Sequence, residues 1–227
     1  MPGNGPCRIS GLPFIPAAVS LAGTIHAEER TYMSPQNTRR FRTAKIIQAA
    51  AVELSVRDGI ANVTTEAIAR HAGISTRTFF NYYPYKEAAL MGPPPDYPPE
   101  ASEKFVAGKG RLIDDLQTLI SAHLERYLGE REMIGHMLAL SDSDAKLEAL
   151  RNSAMLARRA QMRGLLHRRL PGSDERVIEI LAAAIIAATN AATKDWVAGT
   201  RDDFIASAHE NLSLILTAAE MLGRASD

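Results

Sequence analysis

The hydrophobic and polar positions of residues 43–90 follow the three-to-four spacing of amphipathic helices. In "TAKIIQAAAVELSVRDG" the apolar residues keep this spacing, Thr43 can cap the start of a helix and Gly59 can end it. The pattern recurs over a shorter stretch in "VTTEAIARHAG", where Thr64 or Thr65 can serve as the N-cap. The pattern therefore predicts a long helix followed by a short one.

A glycine-containing turn and a third helix are expected next. Gly73 can adopt the left-handed conformation that reverses the chain after a helix, and Ser75 can cap a helix over "TRTFFNYY". Two short helices separated by such a turn are typical of a helix-turn-helix motif. The second helix of that motif enters the major groove of DNA, with its N-terminal residues at the base edges.

Beyond residue 90 the pattern changes. "MGPPPDYPPEAS" contains five prolines and predicts an extended connector or loop without a helix. The rest shows helical spacing and no strand-like alternation, so the predicted fold class is all-α: an N-terminal three-helix helix-turn-helix DNA-binding domain followed by a larger helical domain. The long helices are expected at about residues 109–129, 132–140, 144–170, 174–198 and 201–222.

These elements predict a domain organisation. Residues 39–90 form the DNA-binding domain, residues 91–108 the Pro-rich connector and residues 109–227 the helical domain. Residues 1–38 are expected to be a disordered extension or an over-called start, that is, a translation start assigned too far upstream. The reason is that Met33 opens a basic arm and looks like a natural first residue. Within them, "ISGLPFIPAAVSLAG" faintly resembles a secretory signal, but two prolines interrupt it and it is too short to span a bilayer.

Charge separates the two predicted domains, although the formal net charge of the chain is zero. Residues 39–90 contain eight cationic and four acidic residues (+4), whereas residues 91–227 contain sixteen and twenty (−4). A basic small domain beside a mildly acidic large one indicates that the small domain binds a polyanion.

The chemistry of the chain argues against several other classes. Cys7 is the only cysteine, which excludes an internal disulfide framework or a cysteine zinc cluster within one chain and suits the reducing cytoplasm. No Gly-rich phosphate loop, G-x-S-x-G or H-E-x-x-H motif occurs, so we predict no enzyme, catalytic residue, cofactor or metal. Two alternatives stay open: an exported or membrane-associated helical binding protein, in which residues 5–27 would be a targeting segment, and a helical enzyme.

The residues of the predicted motif suit a DNA contact. Arg77, at the start of the third helix, can pair bidentately with guanine. Tyr82 and Lys86 lie farther along and suit phosphate contacts, which position a protein without reading sequence. The predicted DNA-binding residues are Arg42, Thr64, Thr65, Ser75, Thr76, Arg77, Thr78, Asn81, Tyr82 and Lys86. Each N-cap and aromatic residue among them has an equally good purely structural interpretation.

Residues 43–90 resemble the DNA-binding domain of the tetracycline-repressor (TetR) family of bacterial transcription regulators. The matching elements are "IIQAAAVEL", Gly59, "VTTEAIARHAGIS" and "TFFNYYPYKEAAL". The resemblance implies that residues 76–78 read bases and that Thr65, Tyr82 and Lys86 contact phosphates. Two departures concern aromatic residues.

The first departure is Phe80, where the family often has a tyrosine, so a phosphate-binding hydroxyl is absent there. The second is Tyr85, which replaces a common small serine and weakens the cap expected for the fourth helix.

The resemblance also implies how the larger domain works. Its last two helices would form a homodimer interface, so that the dimer binds a palindromic operator of double-stranded DNA, more commonly as a repressor. An unidentified small-molecule effector would bind among the middle helices, and no membrane partner is expected. From sequence alone, the last two helices and each pocket candidate could equally be core. The candidate pocket residues are Phe105, His123, Met133, Met137, Met155, Asn190 and Trp196.

Overall fold

The computed structural model describes residues 35–92 and 96–222. Of residues 1–38, expected to be a disordered extension or an over-called start, residues 1–34 lie outside the described residues, as does the signal-like stretch, whereas residues 35–38 belong to the first helix. Within these ranges the chain forms α-helices and short 3-10 turns and no strand, which confirms the all-α fold class. The helices are α1 (Pro35–Asp58), α2 (Thr65–His71), α3 (Thr76–Phe80), α4 (Lys86–Met91), α5 (Pro99–Ala107), α6 (Leu112–Leu124), α7 (Arg131–Ser143), α8 (Ala145–Arg169), α9 (Glu175–Ala198) and α10 (Phe204–Met221).

The first four helices, which we call the head, enclose one hydrophobic core. Ile47 of α1, Ile68 of α2 and Phe79 of α3 are each fully buried in it. Leu147, at the start of α8, packs into the same core. The head therefore rests directly on a long helix of the rest of the chain.

Helices α5 to α10, which we call the body, enclose the second core. Phe105, Leu119, Met162 and Ile185 are buried in it and come from four different helices. Its largest helix contact joins α9 to α10, the two helices expected to form a dimer interface. Among the described residues, α9 is the one helix long and apolar enough to cross a membrane, and seven of its residues are buried in the chain itself.

Head and body are joined by buried polar contacts between α1 and α7. Lys45 forms a buried ion pair with Glu130, the residue at the N-cap position of α7. Burial lowers the pKa of Lys45 to about 8, against the opposing effect of Glu130, and burial raises the pKa of Glu130. Gln48 donates to the carbonyl oxygen of Leu90 at 3.3 Å and contacts Met137. The start of α7 is therefore linked to α1 by a buried ion pair.

Two predicted helix boundaries are wrong, and proline explains both. Thr43 does not cap the first helix, since its hydroxyl donates to the carbonyl of Arg39 inside α1, which begins at Pro35. The stretch expected to lack a helix contains α5, which begins at Pro99. Proline is accepted in the first helical turn because the missing N–H would have no partner there.

Candidate nucleic-acid interface

The two threonines at the start of α2 have separate positions. Thr64 is the N-cap, and its hydroxyl accepts a hydrogen bond from the amide of Ala67 at 3.1 Å. Thr65 is the first helical residue and is half-buried. The exposed Thr64 therefore has a structural duty whether or not DNA is present.

The turn between α2 and α3 depends on a left-handed glycine. Gly73 has a φ of 67°, and its amide donates to the carbonyl of Arg70 at 3.1 Å. The next amide, of Ile74, donates to the carbonyl of Ala69 at 2.9 Å. A Cβ at residue 73 would meet no atom within 4 Å, so backbone conformation and not space favours glycine here.

Helix α3 presents its first turn to solvent because its last turn is anchored. Ser75 caps the helix by accepting from the amide of Thr78 at 3.0 Å, and the two hydroxyl oxygens are 2.8 Å apart. Phe79 is fully buried against Tyr83, whereas Phe80 is 51% exposed. Arg77 is exposed as a result, beside the half-buried Thr76 and Thr78.

The basic residues expected to form an arm are part of α1. Arg40 donates to the carbonyl of Asn81 at 3.3 Å, and its guanidinium carbon lies 5.1 Å from the centre of the Tyr82 ring. Asn81 and Arg42 are exposed, and Tyr82 is half-buried. The start of α1 is thus tied to the end of α3, and these residues border one surface.

Lys86 is held by the backbone in front of α2. Its ammonium donates to the carbonyls of Ile60 and Val63 at 2.7 and 2.8 Å, which leaves one of its three N–H groups for another acceptor. Tyr85 makes no side-chain cap for α4, so the weak cap predicted there is confirmed.

Most arginines of the head have no acidic partner. Arg57 pairs with Asp58. Five other arginines of the head are exposed and form no ion pair with any residue in the ranges 35–92 and 96–222. The surface of α1, α2 and α3 therefore carries unpaired positive charge that a polyanion can bind. These arginines are Arg39, Arg40, Arg42, Arg70 and Arg77.

The seven candidate pocket residues do not lie together in one pocket. Phe105, His123 and Trp196 belong to the body core, with Trp196 stacked on Phe204 at 4.4 Å between ring centres. Met133 and Met137 pack against the head core instead. Met155 is 38% exposed on α8, and Asn190 of α9 is half-buried with an unpartnered side-chain nitrogen.

The sequence interpretation missed the groups that surround His123. The rings of Tyr97 and Tyr127 lie 4.7 and 5.5 Å from its ring centre. Burial holds the pKa of His123 well below its usual range, and burial raises the pKa of Tyr97 to about 12. The one available signal was Tyr127, which follows His123 by four residues and so shares its helix face.

Comparison with known proteins agrees with this geometry. Residues 47–90 match the family described as "Bacterial regulatory proteins, tetR family". The chain is 29% identical over 138 residues to YdeS of Bacillus subtilis (strain 168), an uncharacterized HTH-type transcriptional regulator, covering 59% of this chain and 68% of YdeS.

Two solved structures are similar in fold. The fatty acid degradation regulator FadR from Bacillus halodurans has a TM-score of 0.51 and 17% identity, over 82% of this chain and 97% of that one. Thermus thermophilus FadR, a TetR family transcriptional repressor in complex with lauroyl-CoA, has a TM-score of 0.49 and 24% identity, over 76% and 93% of the two chains. With its helix-turn-helix head, the family match over residues 47–90 and the HTH-type relative, this chain is similar to the tetR family of bacterial regulatory proteins.

Proposed function

We propose that this DNA-binding regulator is a cytoplasmic repressor that binds a palindromic operator as a homodimer and leaves it when a small, largely apolar molecule occupies the body. The observation that supports DNA reading most directly is the exposed first turn of α3, where Arg77 has no acidic partner among the described residues. An exposed guanidinium on such a turn fits the edge of guanine.

The phosphate contacts follow from the surroundings of that turn. Arg42 is exposed on α1, Tyr82 lies near the end of α3, and Lys86 keeps one free N–H group beside α2. Backbone contacts of this kind fix the orientation of a recognition helix, while the helix itself reads the bases. Thr64, Thr65, Ser75, Thr76, Thr78 and Asn81 complete the proposed DNA-binding set.

The last two helices support dimerisation because they expose apolar side chains. Val177 and Ile180 of α9 are 57% and 69% exposed, and Leu214 and Leu216 of α10 are 51% and 65% exposed. Burying such side chains between two copies removes apolar surface from water. A twofold pair would place two α3 helices about 34 Å apart, one per half-site.

Selection of bound fragments from the source genome tests the DNA assignment. We expect the recovered fragments to share two inverted half-sites whose centres lie about one helical turn, or a multiple of it, apart. Recovery of fragments without a shared sequence would contradict it.

Substitution of an exposed interface residue tests the dimer. Ile180→Glu should convert the dimer to a monomer in analytical ultracentrifugation and weaken operator binding. Leu128→Glu is the matched control, because Leu128 is 49% exposed but follows α6. A dimer that survives Ile180→Glu would place the interface elsewhere.

A further inference from the structure

The body core contains four neighbouring residues whose polar atoms lack partners; we call them the His123 cluster: Tyr97, His123, Tyr127 and Arg158. Both ring nitrogens of His123, both tyrosine hydroxyls and Nε of Arg158 are buried without a hydrogen bond. His123 is 2% exposed and Tyr97 is 5% exposed. Folded proteins pair nearly all such groups, and each unpaired one costs about 1 to 3 kcal/mol. A molecule that completes the cluster is therefore expected.

Arg158 differs from the other arginines of α8. Among the described residues it forms no ion pair. Burial raises the pKa of Tyr97 and of Tyr127, and the positive charge of Arg158 opposes that rise; burial lowers the pKa of His123, and the same charge lowers it further. The five other arginines of the helix all pair with carboxylates. The pairs are Arg151 with Asp142, Arg159 and Arg163 with Glu179, Arg168 with Glu103, and Arg169 with Asp115.

The chemistry of the cluster selects the missing partner. Two hydroxyls, one imidazole N–H and a guanidinium can all donate hydrogen bonds, and a carboxylate only accepts them. Glu130 also acts on Tyr127, but its Oε1 is paired with Lys45, and its Oε2 is buried without a hydrogen bond to any residue of the cluster. The pattern of donors and charge thus fits an acceptor with negative charge from outside the chain.

We propose that the His123 cluster binds the carboxylate of an organic effector whose apolar part lies in the body core. Arg158 supplies the countercharge, and Tyr97, Tyr127 and His123 donate hydrogen bonds. Phe105, Met162 and Ile134 belong to the same core and would contact the apolar part of the molecule. This assignment gives the effector of the proposed function a chemical class and rests on that function for its consequence at the operator.

Tyr97 lies close in sequence to the head. Tyr97 lies between α4, which ends at Met91, and α5. Its neighbour Asp96 accepts from Arg126 at 2.9 Å through its carbonyl and from Gln161 through its side chain. A ligand that binds the Tyr97 hydroxyl would therefore contact a residue six positions after Met91, the last residue of α4.

The test measures binding to the full chain without DNA. The probes are the straight-chain carboxylates from acetate to octanoate and benzoate, each beside its primary amide. We expect at least one carboxylate to raise the Tm and to bind in calorimetry, while its amide does neither. No response to any carboxylate, or an equal response to the amides, would overturn the proposal. So would a crystal structure that shows only water bonded to the cluster in the presence of the probes.

Variants identify the site of that binding. Arg158→Met should weaken it at least about tenfold, because one charged partner is lost. Arg163→Met is the matched control on the same helix and should bind as the wild type does. Tyr97→Phe should weaken binding and leave the Tm of the free protein undiminished, since that hydroxyl has no partner to lose. Equal binding by Arg158→Met and the wild type would contradict the assignment.

Operator affinity separates this inference from the proposed function. If a carboxylate binds through Arg158 but operator affinity does not change, the binding site at the His123 cluster is supported. The same result contradicts the proposal that the effector releases the protein from its operator. Operator binding that is intact while every carboxylate fails to bind overturns the site alone.

Discussion

In the head core Tyr83 donates its hydroxyl to the carbonyl of Ala44 at 3.3 Å, whereas in the body core the hydroxyls of Tyr97 and Tyr127 have no partner. The same contrast holds for cations. Lys86 of the head donates to two carbonyls, but the Nε atom of Arg158 is buried and unpaired. Ser55 Oγ is the exception in the head core.

This difference in the hydrogen bonding of buried polar groups fits separate roles for the head and the body. A head whose polar groups are bonded internally keeps one shape and can present α3 to DNA reproducibly. On the proposal above, a ligand that supplies the missing acceptor to the unpaired donors of the body would stabilise the folded chain.

The largest expected effect comes from emptying the head core. Phe79→Ala should lower the free energy of unfolding by about 3 to 5 kcal/mol and abolish operator binding, because the fully buried ring anchors α3. Urea unfolding followed by circular dichroism measures the loss. Phe80→Ala, at a ring that is 51% exposed, is the control and should cost no more than about 1 kcal/mol. Equal losses would mean that Phe79 is not the anchor.

Lys86→Ala removes an ammonium group of the head that donates two hydrogen bonds to backbone carbonyls. It should lower the free energy of unfolding by about 1.5 to 3 kcal/mol, since the two carbonyls of Ile60 and Val63 lose a charged donor. The slope of log operator affinity against log salt should become shallower by about one. Lys146→Ala, which loses an exposed ion pair with Glu87, should leave that slope unchanged. An unaltered slope in Lys86→Ala would contradict a phosphate contact by Lys86.

The unpaired histidine of the body makes stability depend on pH. Because burial lowers the pKa of His123 in the folded chain, the unfolded chain binds more protons below about pH 6.5, and stability falls as the pH decreases through that window. The slope is at most about 1.4 kcal/mol per pH unit for one proton. Chemical unfolding at several pH values should show this slope in the wild type and in His167→Leu, at an exposed histidine, but a smaller one in His123→Leu. Identical slopes in all three would contradict a neutral His123.

Removing one hydroxyl from each core should give the smallest effects and the sharpest contrast. Tyr83→Phe should lower the free energy of unfolding by about 0.5 to 1 kcal/mol, because a buried carbonyl loses its donor. Tyr127→Phe should leave it unchanged or raise it, because that hydroxyl has no partner. Thermal and urea unfolding of both variants measure the difference. A larger loss in Tyr127→Phe would reverse the comparison.

The local elements of the head were predictable from the sequence. Ser75, Thr64 and Gly73 act on residues at most four positions away, so their roles can be read without the fold. The long body helices were predictable as well, because their apolar spacing continues over several turns.

The missed features depend on residues that are distant in sequence. The first turns of α1 have no apolar periodicity, and Arg40 binds them to the end of α3. His123 was a pocket candidate, but Tyr97 and Arg158 reach it only through the packing of the body helices. Convergence of this kind leaves no periodic signal in one sequence.

Operator recognition as proposed requires that α3 reads bases, and the sequence specificity of Arg77→Ala tests this role. Operator variants substituted at each position should be bound by the wild type with clear preferences, and Arg77→Ala should lose about 1 to 3 kcal/mol of discrimination at particular positions only. Arg42→Ala, the control on α1, should weaken binding to all variants alike. An equal loss on every sequence in Arg77→Ala would contradict base reading by this helix.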